Sequence, residues 1–115
     1  MEEQALVGLD ASYFFEGQYK KAIDVLQKQI EIINKTDNQH EKAITLNRLG
    51  NSYLCREKHD IAIKYFQEAL KISKNNSFWV ENGKILNNLG VAYGYYLHQC
   101  QDAIRYFKQA LTTQF

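Results

Sequence analysis

The chain has 115 residues, 45% of them apolar and 23% charged, which suits one small globular domain and excludes a disordered chain. Fourteen Lys and Arg against thirteen Asp and Glu leave a net charge of +1, so no global field exists to hold nucleic acid or anionic lipid. The longest run without a polar or charged side chain other than tyrosine, 89–97, is far short of the roughly 20 residues of a membrane helix, and Met1 leads straight into Glu2 and Glu3, so neither a span nor a signal peptide is expected.

Proline is absent and Ala, Leu, Ile, Lys, Gln and Glu are plentiful, so long helices are allowed almost everywhere. The pattern predicts six of them, over about residues 3–16, 18–34, 39–56, 59–74, 78–96 and 100–113. The first carries LVGLDASY at 6–13 and leads through Gly17 into the second, with AIDVLQKQI at 22–30. Residues 35–40 hold the polar side chains of a turn, and Asn38 with Glu41 forms an N-cap pair for the third helix. That helix carries LNRLGNSY at 46–53. In the fourth, AIKYFQEAL at 62–70, Ala62, Phe66, Ala69 and Leu70 share one stripe while Lys64, Gln67, Glu68 and Lys71 face away. The fifth carries LNNLGVAY at 86–93 and the sixth AIRYFKQAL at 103–111.

These segments repeat. The third and fourth helices match the fifth and sixth, and the first pair is a weaker copy in which Asp10 replaces the small residue and Gln29 replaces an alanine. Leucine then glycine, tyrosine three later, alanine twelve after the glycine, an aromatic four beyond and a second alanine resemble the tetratricopeptide repeat (TPR) pattern, over nearly the whole chain. The resemblance implies an all-α fold, a right-handed superhelix of three antiparallel helix-turn-helix hairpins forming one domain over 1–115, with repeats at about 3–37, 38–76 and 77–115. Gly50 and Gly90 are expected where the two helices of a hairpin lie close, with Ala62, Ala69, Ala103 and Ala110 facing them; Tyr53, Phe66, Tyr93 and Phe107 are the knobs between hairpins.

The steps from Ala22 to Ala62 and from Ala62 to Ala103 are forty and forty-one residues, longer than the roughly 34 of the common repeat. This period without a terminal proline is similar to the long repeats of animal G-protein-regulator scaffolds and bacterial Rap-type peptide sensors. Gly90 to Ala103 spans thirteen positions against twelve from Gly50 to Ala62, and the surplus is expected within 95–101, a stretch that lacks a turn glycine.

The resemblance also implies a concave wall, lined by the first helix of each hairpin and suited to a protein or peptide partner. Candidate partner-binding residues there are Val7, Ala11 and Phe14; Asn47, Arg48, Asn51 and Leu54; and Lys84, Asn87, Asn88, Val91 and Tyr95. Asparagine is a poor interior helix residue, and its amide can grip the backbone of a bound chain. Asn47 and Asn87 have a second use open to them, bridging neighbouring helices. Phe15 belongs either to the apolar first-hairpin patch or to the core. In the family subclass that clamps a carboxyl terminus, the matching places here hold Val7, Ala11, Arg48, Lys84 and Asn88, and Lys84 alone agrees.

Cys55 and Cys100 make no disulfide framework, so a reducing, cytoplasmic setting is expected. Cys55 with His59 and His98 with Cys100 lack the spacing of a zinc finger and read as helix-packing cysteines and turn histidines, so no metal or cofactor is expected. No phosphate loop, nucleophile elbow or paired carboxylates occur, so the chain is not expected to be an enzyme. No polar helix follows to cover Ile104, Phe107 and Leu111. The expectation is a fragment of a longer array, with a homodimer through the C-terminal hairpin as the alternative. Beside the protein- or peptide-binding module, two other functions stay open: a structural array self-assembling through that terminal helix, and the regulatory peptide-sensing part of a larger signalling protein.

Overall fold

The computed structural model describes residues 2–112, with side chains from residue 8 onward. Its α-helices are α1 (Glu2–Phe15), α2 (Tyr19–Ile33), α3 (Gln39–Cys55), α4 (His59–Asn75), α5 (Trp79–Val91) and α6 (Cys100–Thr112), with a π-helical turn, Ala92–Tyr96, continuing α5. They form three hairpins, α1/α2, α3/α4 and α5/α6, each packed on the next as a helical repeat superhelix. Asn38 caps α3 by accepting the Glu41 N–H at 3.1 Å, as the spacing predicts.

Glycine has a specific use at the centre of each later hairpin. A Cβ on Gly50 would sit 2.6 Å from Phe66 Cδ1, and one on Gly90 would sit 2.6 Å from Phe107 Cε1. The missing side chain therefore makes a seat for a phenyl ring of the second helix. Phe66 is 0% exposed because α5 closes over its other side, whereas Phe107 stays 41% exposed.

Hairpin-to-hairpin ties recur at repeat spacing. Gln27 Nε2 donates to the Tyr65 hydroxyl at 2.9 Å, and Gln67 Nε2 donates to the Tyr106 hydroxyl at 3.1 Å. Within hairpins two and three, Tyr53 stacks on Tyr65 with ring centres 5.5 Å apart and Tyr93 stacks on Tyr106 at 5.4 Å. The α4–α5 junction adds a buried polar pair that sequence reasoning missed: Asn82 Nδ2 donates to Ser73 Oγ at 3.1 Å.

The surplus residue of the third hairpin lies earlier than expected. It is taken up inside the helix, where the Leu97 N–H donates to the Ala92 carbonyl at 3.1 Å, five residues back, so the predicted continuous α-helix over 78–96 is replaced by an α-helix with a π-helical end. The closing bond of hairpin two runs from Lys58 N–H to the Tyr53 carbonyl, five apart, and that of hairpin three from Gln99 N–H to the Tyr93 carbonyl, six apart. Insertion in the helix leaves the Tyr93–Tyr106 stack and the turn undisturbed.

Each hairpin turn contains one left-handed residue: Gly17 at φ 78°, Glu57 at 62° and His98 at 57°. Only glycine adopts this without a Cβ penalty. Glu57→Gly and His98→Gly are each expected to stabilise the chain by about 0.5–1 kcal/mol, read as a raised urea midpoint with unchanged slope. A lowered midpoint for both would show that the side chains compensate the strain.

Candidate functional site

The repeat equivalences, with 7, 47 and 87 in register, place three parallel stripes on α1, α3 and α5. Asn47 with Asn51, and Asn87 with Val91 and Tyr95, follow the four-residue step that keeps side chains on one helix face. Asn87, Val91 and Tyr95 are exposed, Tyr95 at the π-helical turn; Asn47, Arg48 and Asn51 are half-buried. The side chain of Val7 lies outside the described residues.

Two clefts run between the stripes. One of about 240 Å³ lies between α1 and α3, lined by Asp10, Ala11, Phe14, Phe15, Arg48 and Asn51 together with Ser52. The second, about 170 Å³, lies between α3 and α5 and includes Asn47, Arg48, Glu81 and Lys84. Arg48 lines both clefts. Phe15, for which wall and core were both open, is 85% exposed at the mouth of the first cleft, its ring edge-on to Phe14 at 5.9 Å.

Three expected site residues are put to other uses, Leu54, Asn47 and Asn88. Leu54 is buried in the hydrophobic core, because the stripe through Asn47 and Asn51 continues to Cys55 and turns Leu54 inward. Asn88 Nδ2 donates to Asn47 Oδ1 at 2.8 Å, so the interhelix bridge open to Asn47 does form, but with Asn88 rather than through Asn87. Among the described residues Asn51 makes no such bridge. Arg48 is the repeat equivalent of Asn88 and likewise reaches back one hairpin, its Nη1 lying 3.7 Å from Asp10 Oδ1.

Asp10 and Ser52 are cleft residues that sequence reasoning did not select. The signal for Asp10 was its replacement of the repeat's glycine. It is 3% exposed, and its Oδ1 has no hydrogen-bond partner because 3.7 Å is too long for one. Burial pushes its carboxyl above the ordinary 3.8, against the pull of Arg48 and of backbone N–H groups. Gln29, the other departure, is fully buried with neither amide atom bonded. The unsatisfied buried groups on α1 and α2 thus fall where the sequence leaves the repeat pattern.

Among the described residues no group of three or more His, Cys, Asp and Glu gathers as a metal site would. Burial raises the Cys55 thiol above its ordinary 9.0, which keeps it protonated and a weak nucleophile. No described helix is long and apolar enough to cross a membrane.

Helical hairpins stacked with clefts between their first helices define the class as a helical repeat protein. Tetratricopeptide repeat matches cover residues 3–75 and 84–114, and the chain belongs to the tetratricopeptide repeat family. The crystal structure of the TPR domain of Arabidopsis FLU is similar, with a TM-score of 0.85 and 18% identity over 96% of this chain and 92% of that one, a likeness of fold. The type II methyltransferase M.CeqI of Rhodococcus hoagii is 32% identical over 65 residues, 56% of this chain. The chain spans 13% of the length of that relative, whose name describes the whole of that protein. Repeats of this family are in general protein-protein interaction modules, and the fold is typically a non-enzymatic scaffold.

Proposed function

We propose that this chain binds an extended segment of a partner protein along the groove across α1, α3 and α5, in a cytoplasmic setting. The observation that carries the reading is the α1–α3 cleft, where apolar walls from Ala11, Phe14 and Phe15 meet the polar side chains of Arg48 and Asn51. At about 240 Å³ it has room for one bulky apolar side chain, while the Asn51 amide can both donate to and accept from the peptide backbone passing over it. Further along, Lys84, Asn87, Val91 and Tyr95 continue the contact as a mixed surface. Asn47 and Asn88, tied to each other, hold the wall in shape.

Selection of peptides from a displayed random library is expected to enrich sequences sharing one large apolar residue. Phe15→Asp and Asn51→Ala should each weaken the selected peptides by about tenfold, or ~1.4 kcal/mol, with unchanged circular dichroism. Peptides indifferent to both changes, or no enrichment, would remove the groove as the working surface.

A further inference from the structure

We propose that the side chain the α1–α3 cleft takes from its partner is a tyrosine, whose phenol hydroxyl donates to the unbonded carboxylate oxygen of Asp10. The inference rests on the reading of that cleft as a peptide-binding surface and adds what the cleft selects.

The cleft is graded from mouth to floor. Phe15 stands 85% exposed at the rim with Phe14 edge-on beside it, whereas Asp10, which lines the same cleft, is 3% exposed. A carboxylate is ordinarily turned toward water unless it is paired. Here it lies at the inner end of an apolar-walled space of about 240 Å³.

Asp10 Oδ1 is an acceptor without a donor. It is buried with no hydrogen-bond partner, and Arg48 Nη1, at 3.7 Å, is too far away to bond it. A buried acceptor left unbonded is costly, so a side chain that brings a donor to it gains a bond the free protein lacks. A side chain of the same shape without the donor gains only the contact with the walls.

The remaining lining residues narrow the choice of donor. Arg48 lines the cleft as well, so an entering lysine or arginine would meet a like charge, while a carboxylate or phosphate would meet Asp10. The short hydroxyls of serine and threonine would leave the walls of Ala11, Phe14 and Phe15 unfilled. Tyrosine lays a neutral ring against those walls and carries its one O–H at the far end of the ring axis, where the floor is. The indole N–H of tryptophan projects from the flank of its ring and faces the walls instead.

The probe is the displayed random library selected on the full chain. The apolar position shared by the selected peptides is expected to be tyrosine, and Tyr-to-Phe exchange in the tightest of them should weaken binding about tenfold in fluorescence anisotropy. Asp10→Ala should erase that difference with unchanged circular dichroism. Asp10→Asn, which keeps a carbonyl oxygen at the floor, should retain it. Phenylalanine, leucine or tryptophan selected as readily as tyrosine, or a Tyr/Phe difference that survives Asp10→Ala, would overturn the proposal. So would a shared lysine whose binding is lost with Asp10→Asn, which would make the cleft a cation site. Peptides without tyrosine that still respond to Phe15→Asp would sink this proposal and leave the cleft as the working surface; no enrichment would sink both.

Discussion

Replacing Phe66 by alanine is expected to cost about 3–5 kcal/mol of folding stability, and the same change at Phe107 roughly 1–2 kcal/mol. The two residues are repeat equivalents with the same chemistry and the same glycine seat. They differ in what lies on the far side of the ring. Phe66 is closed in by α5, so its loss leaves a cavity walled on every side; Phe107 already meets solvent, so water fills the space it vacates. A domain stable by about 5–15 kcal/mol would lose a large fraction through the first change.

The reverse substitution at the seat follows the same logic. Gly50→Ala forces the Phe66 ring to move against α5, an overpacking that costs about 1–3 kcal/mol and outweighs the gain of about 1 kcal/mol in helix propensity. Gly90→Ala lets Phe107 swing toward solvent and should be close to neutral. Urea midpoints at constant slope check all four variants. Equal losses at the two seats would mean that α5 does not confine Phe66 as described.

The first hairpin should respond strongly to exchanging its departures for the pattern of the second. Leu26 and Asp10 stand where hairpin two has Phe66 and Gly50. Leu26→Phe alone is expected to destabilise by about 1–3 kcal/mol, because the seat is filled by a carboxyl group. Combined with Asp10→Gly it should be rescued, since the buried carboxylate with an unbonded oxygen, a cost of about 1–3 kcal/mol, is removed as the ring is seated. Arg48, left without its partner, is exposed enough to be solvated. A double-mutant cycle should therefore show coupling of about 1–3 kcal/mol, and additive effects would refute the equivalence.

Asp10 also sets a pH dependence of definite sign. Its folded carboxyl holds a proton more tightly than the ordinary value of 3.8, chiefly because of burial. The native state then binds more protons than the unfolded chain, so this group's contribution to stability falls as pH rises from 3.8 through the raised folded value. Asp10→Asn should abolish that part of the slope. The difference between the two proteins' stability curves, measured upward from acid pH, isolates it; parallel curves would show that the carboxyl is not penalised by burial.

Much of the fold was legible in the sequence because its signals are local. LNRLGNSY and LNNLGVAY, and AIKYFQEAL and AIRYFKQAL, place glycine, alanine and aromatic residues at helical steps, and such steps identify a face without knowledge of its neighbour. The Asn38 cap needed only the residue three positions on. The surplus residue of the third hairpin was countable from the glycine-to-alanine interval, but its place was not. A helix can absorb one residue wherever its hydrogen bonds shift from four to five apart, and here that shift falls at Ala92–Tyr96.

The groove was legible only as a set of helix faces. Leu54 was misplaced because it lies next to the exposed stripe, and burial depends on which neighbour it meets. Asn88 was a candidate for holding a partner because nothing in its own helix showed that Asn47, forty-one positions away, would satisfy its amide. Asp10 was visible as a departure from the pattern and not as part of a cleft. The sequence by itself determined the repeat, the six helices and the Asn38 cap, since these follow from contacts within a few residues. Only the tertiary structure decided which asparagines are tied to a neighbouring helix, which phenylalanine is sealed and which is open. Those outcomes depend on how separate hairpins pack, and packing between distant segments is what leaves one repeat position buried and its equivalent exposed.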